Sequence, residues 1–214
     1  VRRAQPYIYS TDQILRLVQA AASLKPRDSL RPRTYGALFG LLAVTGMRVG
    51  EVIALKDHDV DLSQGVLTLR QGKHNKTRIL PVHRSTQEAL RTYARCRDKF
   101  VPIRTTDRFF VSSRGSGLNH SIVRHAFIQL SRLIGLRSPA DRLGPRIHDL
   151  RHTFAVRTLT DWHRKGTDPE QKLPLLSAYL GHAKVSDTYW YLTAIPELMA
   201  AVNTRLEHFL GDHS

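Results

Sequence analysis

Apolar residues at Ile14, Leu15, Val18 and Ala22 recur at helical spacing, just after Ser10-Thr11-Asp12-Gln13. Ser10 and Gln13 have the spacing of a capping box, so the pattern predicts a helix from there to about Leu24. Tyr35 to Val44 is nearly all apolar and predicts a buried helix. Thr45-Gly46 interrupts it, and a second short helix is expected over Met47 to Leu55. The spacing then changes. Gly65 to Arg70 and Arg78 to Val82 alternate and are rich in β-formers, with Gln71-Gly72-Lys73-His74-Asn75-Lys76 between them. This predicts a β-hairpin with a longer turn.

Helical spacing returns after the hairpin. Ser85-Thr86-Gln87-Glu88 has capping-box spacing and predicts a helix to about Arg97. Phe109 to Ser112 suits a short strand. Asn119 is placed to cap a helix through Ile134, with Ile122, Val123, Phe127, Leu130 and Leu133 facing the core. A third long helix is expected over Ile147 to Trp162. Arg164 to Pro174 is polar, holds Gly166 and two prolines, and reads as a loop. Leu175 to Leu180 is helical and Gly181 ends it. A last helix, Glu197 to Leu210, begins after Pro196 and closes at Gly211. The fold class is therefore mainly α with one small antiparallel sheet (α+β), in one domain over residues 1–214, without internal repeats.

Charge narrows the function. A chain of 214 residues with a formal net charge of +15 points to a polyanion. Nucleic acid comes first, an anionic membrane surface second, and a merely basic ribosome-associated protein is the plain alternative. Cys96 is the single cysteine, which excludes an intramolecular disulfide and fits a reducing, cytoplasmic setting. No apolar run approaches the length of a membrane span, and the first residues lack the apolar core of a signal peptide.

Four places could carry chemistry. Arg48 and Glu51, three apart on a predicted helix, share a face beside apolar Val49, Val52 and Ile53. An ion pair is the ordinary reading of such a pair. Lys73 sits in the hairpin turn with Lys76 and Arg78 nearby, where a solvated lysine is the ordinary reading. In Ile147-His148-Asp149-Leu150-Arg151-His152-Thr153, His148 and Arg151 stack on one helix face. His148 and His152 have a spacing that can bind zinc, but Asp149 replaces the glutamate of the helical zinc-protease motif and Arg151 places a positive charge between the ligands. Finally, Leu180-Gly181-His182 ends a helix, and Tyr191 follows nine residues later.

Taken in order, Arg48, Lys73, His148 with Arg151, His182 and Tyr191 resemble the tyrosine recombinase, or phage integrase, family over nearly the whole chain. The flanking strings Thr45-Gly46-Met47-Arg48-Val49-Gly50-Glu51, Gly72-Lys73 with Pro81, His148-Asp149-Leu150-Arg151-His152-Thr153 and Leu180-Gly181-His182 match as well. The resemblance implies a tyrosine recombinase catalytic-domain fold and an enzyme that cuts and rejoins DNA. Tyr191 would attack a phosphodiester, forming a 3′-phosphotyrosyl link and releasing a 5′-hydroxyl. A free phenol has a pKa of about 10, so its proton must be accommodated, and His148 is the positional match. Arg48 and Arg151 match two phosphate-clamping arginines, whose forked donors suit phosphate oxygens. His182 matches a further donor to the phosphate, Lys73 the acid that protonates the leaving 5′-oxygen, and Glu51 a supporting acidic position. The arginines supply the charge a metal would bring, and the covalent link stores the energy of the broken bond, so neither metal, cofactor nor ATP is implied.

The implied partners are double-stranded DNA at specific recombination sites and further copies of the chain, in a tetrameric synapse. The implied location is the cytoplasm, on the nucleoid when DNA is bound. Members of the family usually carry an N-terminal helical domain that clamps the opposite DNA face, so the expectation is a catalytic domain without it. The stretch between Arg151 and His182 is longer than usual, with 161–174 as the apparent insertion and a plain surface loop as its expected form. Tyr189 competes with Tyr191 as nucleophile, and the spacing from His182 favours Tyr191. Leu198, Val202, Leu206 and Phe209 make an apolar stripe that must be buried, either on its own domain or on another. Related recombinases often pass this segment to the next subunit, so the resemblance implies that residues 196–214 dock on a neighbouring subunit. The rival readings are a type IB topoisomerase-like enzyme and a non-catalytic DNA-binding module.

Overall fold

The computed structural model describes residues 6–71, 76–138, 140 and 144–193. It contains eight α-helices and one three-stranded sheet among those residues: α1 (Thr11–Ala20), α2 (Arg31–Thr45), α3 (Val49–Ala54), β1 (Val60–Asp61), β2 (Val66–Gln71), β3 (Lys76–Pro81), α4 (Arg84–Phe100), α5 (His120–Leu133), α6 (Asp149–Arg164), α7 (Pro169–Leu180) and α8 (Ser186–Thr193). The sheet is antiparallel in the order β1-β2-β3, and the hairpin pairs Leu69 with Arg78 and Leu67 with Leu80. The expected mainly α fold with a small antiparallel sheet is what forms.

Local signals set several element ends. The Ser10 hydroxyl accepts from the Gln13 N–H at 3.1 Å and the Gln13 side chain accepts from the Ser10 N–H at 2.9 Å, closing the capping box. Asn119 caps α5 by accepting from the Ile122 N–H at 2.9 Å. Elsewhere the expectation needs correction. The helix α4 starts before Ser85, because the His83 ring accepts from the Ser85 N–H and serves as the cap. Phe109 to Ser112 forms no strand, only a single bridge from Val111 to Gly117. On α5, Val123, Phe127 and Leu130 are buried, but Ile122 and Leu133 are exposed at its edges.

The largest correction concerns residues 164–174. The helix α6 continues to Arg164, and α7 already begins at Pro169. Asp168 caps α7 by accepting from the Glu170 N–H at 3.0 Å. Pro169 sits in the first turn, where its missing N–H costs nothing. Pro174 lies inside the helix and removes one backbone bond, yet the helix holds because Leu173, Leu176 and Leu180 are buried on one side. The predicted loop is thus a tight turn around Gly166 between two packed helices.

The core has two parts. The larger joins Leu38, Phe39 and Leu42 of α2 to Val123, Phe127 and Leu130 of α5 and to Leu67, Leu69 and Leu80 of the sheet. The smaller joins Ala155 and Leu159 of α6, Leu173, Leu176 and Leu180 of α7, and Tyr191 and Leu192 of α8. Each fully buried leucine or phenylalanine contributes about 2 kcal/mol. The helix α2 packs on α1, α4 and α6 and so ties the two parts together. Among the described residues no helix is long and apolar enough to cross a membrane. Lys73 and the predicted helix Glu197 to Leu210 lie outside the described residues.

Candidate active site

The site forms where the two parts of the core meet. Gly46 ends α2 in the left-handed region with φ 61°, which frees the chain to turn at once into α3. Arg48 then stands at the cap position of α3 with extended backbone. Glu51, in the first turn, accepts from the Arg48 backbone N–H at 2.8 Å and from its guanidinium at 3.0 Å. The same carboxylate accepts from Arg78 of β3 at 2.8 Å. Burial works to raise the Glu51 carboxyl, but the Arg78 hydrogen bond, the Arg48 N–H and the charge of both arginines prevail and hold it below the usual carboxylate range. Arg48 also donates to the Gly181 carbonyl at 3.0 Å, which reaches across to the end of α7.

Arg151, in the first turn of α6, is almost fully buried at 2 % exposure. It donates to the Gly46 carbonyl at 2.8 Å and to the Leu180 carbonyl at 2.7 Å. Both carbonyls belong to helix ends, whose negative dipole ends suit a cation. Burial and the nearby Arg48 lower the Arg151 pKa to about 10, which leaves the guanidinium charged at neutral pH. Arg48 and Arg151 each engage two of their five N–H donors among the described residues, so the remaining donors can serve an anion.

Three histidines and a tyrosine complete the site. His182 follows the left-handed Gly181 that ends α7, and its Nδ1 lies 2.8 Å from the Thr188 hydroxyl of α8. Burial, then the charges of Arg151 and Arg48, push its pKa down to about 4. His148 precedes α6, and burial with the Arg151 charge lowers its pKa too. His152, one turn further on, has its Nδ1 3.0 Å from the Tyr191 hydroxyl. Tyr191 projects from α8 into the smaller core at 2 % exposure, its ring stacked 6.3 Å from that of His182. Tyr189, two residues away, is 49 % exposed on the opposite side of the helix.

His148, His152, His182 and Tyr191 line one cleft of about 400 Å³ together with Arg146, Asp187 and Trp190. A larger groove of about 780 Å³ lies between α2 and α4, but its walls are mostly apolar and hold none of these groups. Among the described residues no three His, Cys, Asp or Glu side chains are grouped to hold a metal ion. Together with Arg48 and Arg151 at the end of α7, the cleft offers cations, neutral imidazoles and a phenol, a set suited to a phosphate group.

Of the sequence-predicted residues, Arg48, Glu51, His148, Arg151, His182 and Tyr191 come together, drawn from α3 and α6 with their cap residues, from α8 and from the second residue after α7. Three further residues belong to the arrangement. Arg78 has a signal in the alternation of β3, since it shares a face with buried Leu80 while Ile79 points out at 65 % exposure. A cation on the core-facing side of a strand requires a buried partner. His152 has a signal in its position one turn after His148. Thr188 carries none.

The sequence and fold agree with known proteins. The family model described as phage integrase family matches residues 8–197. The y4rB protein of Sinorhizobium fredii, named as an integrase/recombinase, is 46 % identical over the whole chain and 69 % of its own length. The tyrosine recombinase XerC of Thermodesulfovibrio yellowstonii is 31 % identical over 89 % of the chain and 59 % of its own length. The chain thus spans about two thirds or less of the relatives it matches. The crystal structure of the XerA recombinase superposes with a TM-score of 0.72 at 29 % identity, covering 96 % of this chain and 65 % of that one. A XerH recombinase bound to its difH substrate shares the fold with a TM-score of 0.72. The turn at Gly46, the clasp of Arg151 and the tyrosine on α8 thus sit in a fold and sequence whose match covers most of the chain, and the protein belongs to the phage integrase family of tyrosine recombinases.

Proposed function

We propose that this chain is the catalytic domain of a site-specific DNA recombinase that cuts and rejoins strands through a 3′-phosphotyrosyl intermediate, without metal or ATP. The observation that carries the reading is that Arg48 and Arg151 both bind carbonyls at the end of α7, next to His182, which shares one cleft with His148 and Tyr191. In this reading the Tyr191 oxygen attacks phosphorus and the bond to the 5′-oxygen breaks. Arg48 and Arg151 hold the non-bridging oxygens as charge builds on them. His148 and His182 serve the same group from the start of α6 and the end of α7. Glu51 keeps Arg48 in place, and Lys73 returns a proton to the leaving oxygen. The covalent link stores the energy of the broken bond, so a partner strand's 5′-hydroxyl can reverse the step without a nucleotide.

The proposed partners are double-stranded DNA and further copies of the chain, with residues 196–214 exchanged between neighbours. The net charge of +15 supports a polyanionic partner. Solved relatives of the same fold include a λ integrase tetramer on a Holliday junction, which supports the tetrameric assembly. The test uses a pool of centrally nicked duplexes with randomised arms. After denaturation, protein should remain bound to DNA strands, with chelator present. Protein that binds the pool but leaves no covalent product would exclude strand cleavage and favour a DNA-binding module.

A further inference from the structure

The nucleophile reading leaves open which group receives the phenol proton, and here the geometry departs from the family position. We propose that His152, rather than His148, holds the Tyr191 hydroxyl and takes its proton as the phenol oxygen bonds to phosphorus. The inference rests on Tyr191 being the nucleophile.

The contact is direct, with Nδ1 and the hydroxyl oxygen 3.0 Å apart and the two rings tilted at 55°. This is within the reach that a general base requires. The ring of His152 is held from two sides. His148 meets it edge-on with centroids 4.8 Å apart, and Trp190 of α8 does the same at 5.6 Å. His148 therefore supports the ring that touches the phenol.

The surroundings keep His152 neutral. Burial, then His148, push its pKa down to about 4, Arg146 and Arg151 act the same way, and Asp149 opposes them. His182, Asp187 and Tyr191 face the same cleft. A neutral imidazole whose Nδ1 accepts from the phenol carries its own hydrogen on Nε2. That tautomer is the one whose Nδ1 can receive the phenol proton. A bound DNA phosphate brings negative charge beside the ring and restores its basicity, while the phenol becomes more acidic as its oxygen bonds to phosphorus. In the full step the Tyr191 O–P bond forms, the P–O5′ bond breaks, the phenol proton passes to His152 Nδ1, and Lys73 protonates the 5′-oxygen. In the reverse step His152 returns the proton to Tyr191.

The test compares His152→Asn, which retains an acceptor near the Nδ1 position but takes no proton, with His152→Gly. Cleavage is timed at saturating protein on the nicked duplex enriched from the randomised pool. Both variants should bind the duplex normally and cleave at least about 100-fold more slowly, the usual scale of general-base catalysis. Added imidazole should restore the His152→Gly rate in proportion to its neutral fraction. Should His152→Asn fail to fold, His152→Gln takes its place. Cleavage by His152→Asn within threefold of the wild type would overturn the proposal, and so would absence of rescue in a folded His152→Gly protein. Faster cleavage would overturn it as well, since it would make the contact a restraint. Tyr191→Phe is run in parallel. Covalent product from that variant would sink the nucleophile reading itself, a failure distinct from that of His152.

Discussion

The guanidinium of Arg151 donates to the carbonyl of Gly46 at 2.8 Å, across 105 residues of chain. This bond exists because Gly46 takes φ 61° and turns its carbonyl toward α6. A Cβ at this position would meet Phe154 Cδ1 at 2.6 Å. Gly46→Ala should therefore cost about 3 kcal/mol, combining left-handed strain with overpacking. It should also slow cleavage more than it weakens DNA binding. Gly50→Ala, where a Cβ meets nothing within 4 Å, should leave stability unchanged or slightly raised. Urea denaturation of both variants checks this, and equal effects would contradict the role of the Gly46 turn.

Among the described residues, Glu51 is the acid that joins Arg48 to Arg78. Its side chain and that of Arg78 are each only 14 % exposed. Removing the carboxylate leaves two cations unbalanced in a confined space. Glu51→Gln should lower stability on the order of 3 kcal/mol, the scale for breaking a buried pair. Replacing Arg78 with methionine in that background should recover part of the loss. A double-mutant cycle with no coupling between the two positions would contradict the arrangement.

The histidines predict a pH dependence of stability. His152 and His182 both have pKa values of about 4, below the unfolded value of 6.5. The unfolded chain therefore binds more protons than the folded one between those values, and stability falls as pH drops from 6.5 to 4. Glu51 adds its loss only below its ordinary value of 4.5. The melting temperature should decline across pH 6.5 to 4 and do so less steeply in His152→Asn. A flat profile over that range would contradict the burial of neutral imidazoles.

Much of this arrangement was legible in the sequence, and the gaps have physical causes. Apolar spacing located α1, α2, α5 and α6, and alternation located the β2–β3 hairpin. Of the ordered residues, His148, His182 and Tyr191 line one cleft, and Arg48 and Arg151 meet the end of α7 next to His182. The first half of α7 was hidden because Pro169 and Pro174 read as breakers, while burial of Leu173, Leu176 and Leu180 outweighed one lost backbone bond. Arg78 was hidden among the basic residues of the hairpin, where only strand parity separates a buried cation from a solvated one. The spacing from His148 places His152 on the same helix face, but its contact with Tyr191 depends on how α8 packs against α6.

DNA binding should show a steep salt dependence, because lysine and arginine contacts release counterions from the phosphates. Affinity for a random duplex, measured by fluorescence anisotropy, should fall by orders of magnitude between low and moderate salt. A flat response would mean that the net charge of +15 does not form the binding surface.

The central claim is that Tyr191 becomes covalently joined to a DNA phosphate, and the site of that bond can be read directly. Wild-type protein is trapped on the enriched nicked duplex, digested with protease and nuclease, and the peptide–nucleotide adduct is sequenced by mass spectrometry. The account predicts a nucleotide 3′-phosphate on Tyr191, absent from Tyr191→Phe and undiminished in Tyr189→Phe. An adduct on Tyr189, or on any residue other than Tyr191, would contradict it.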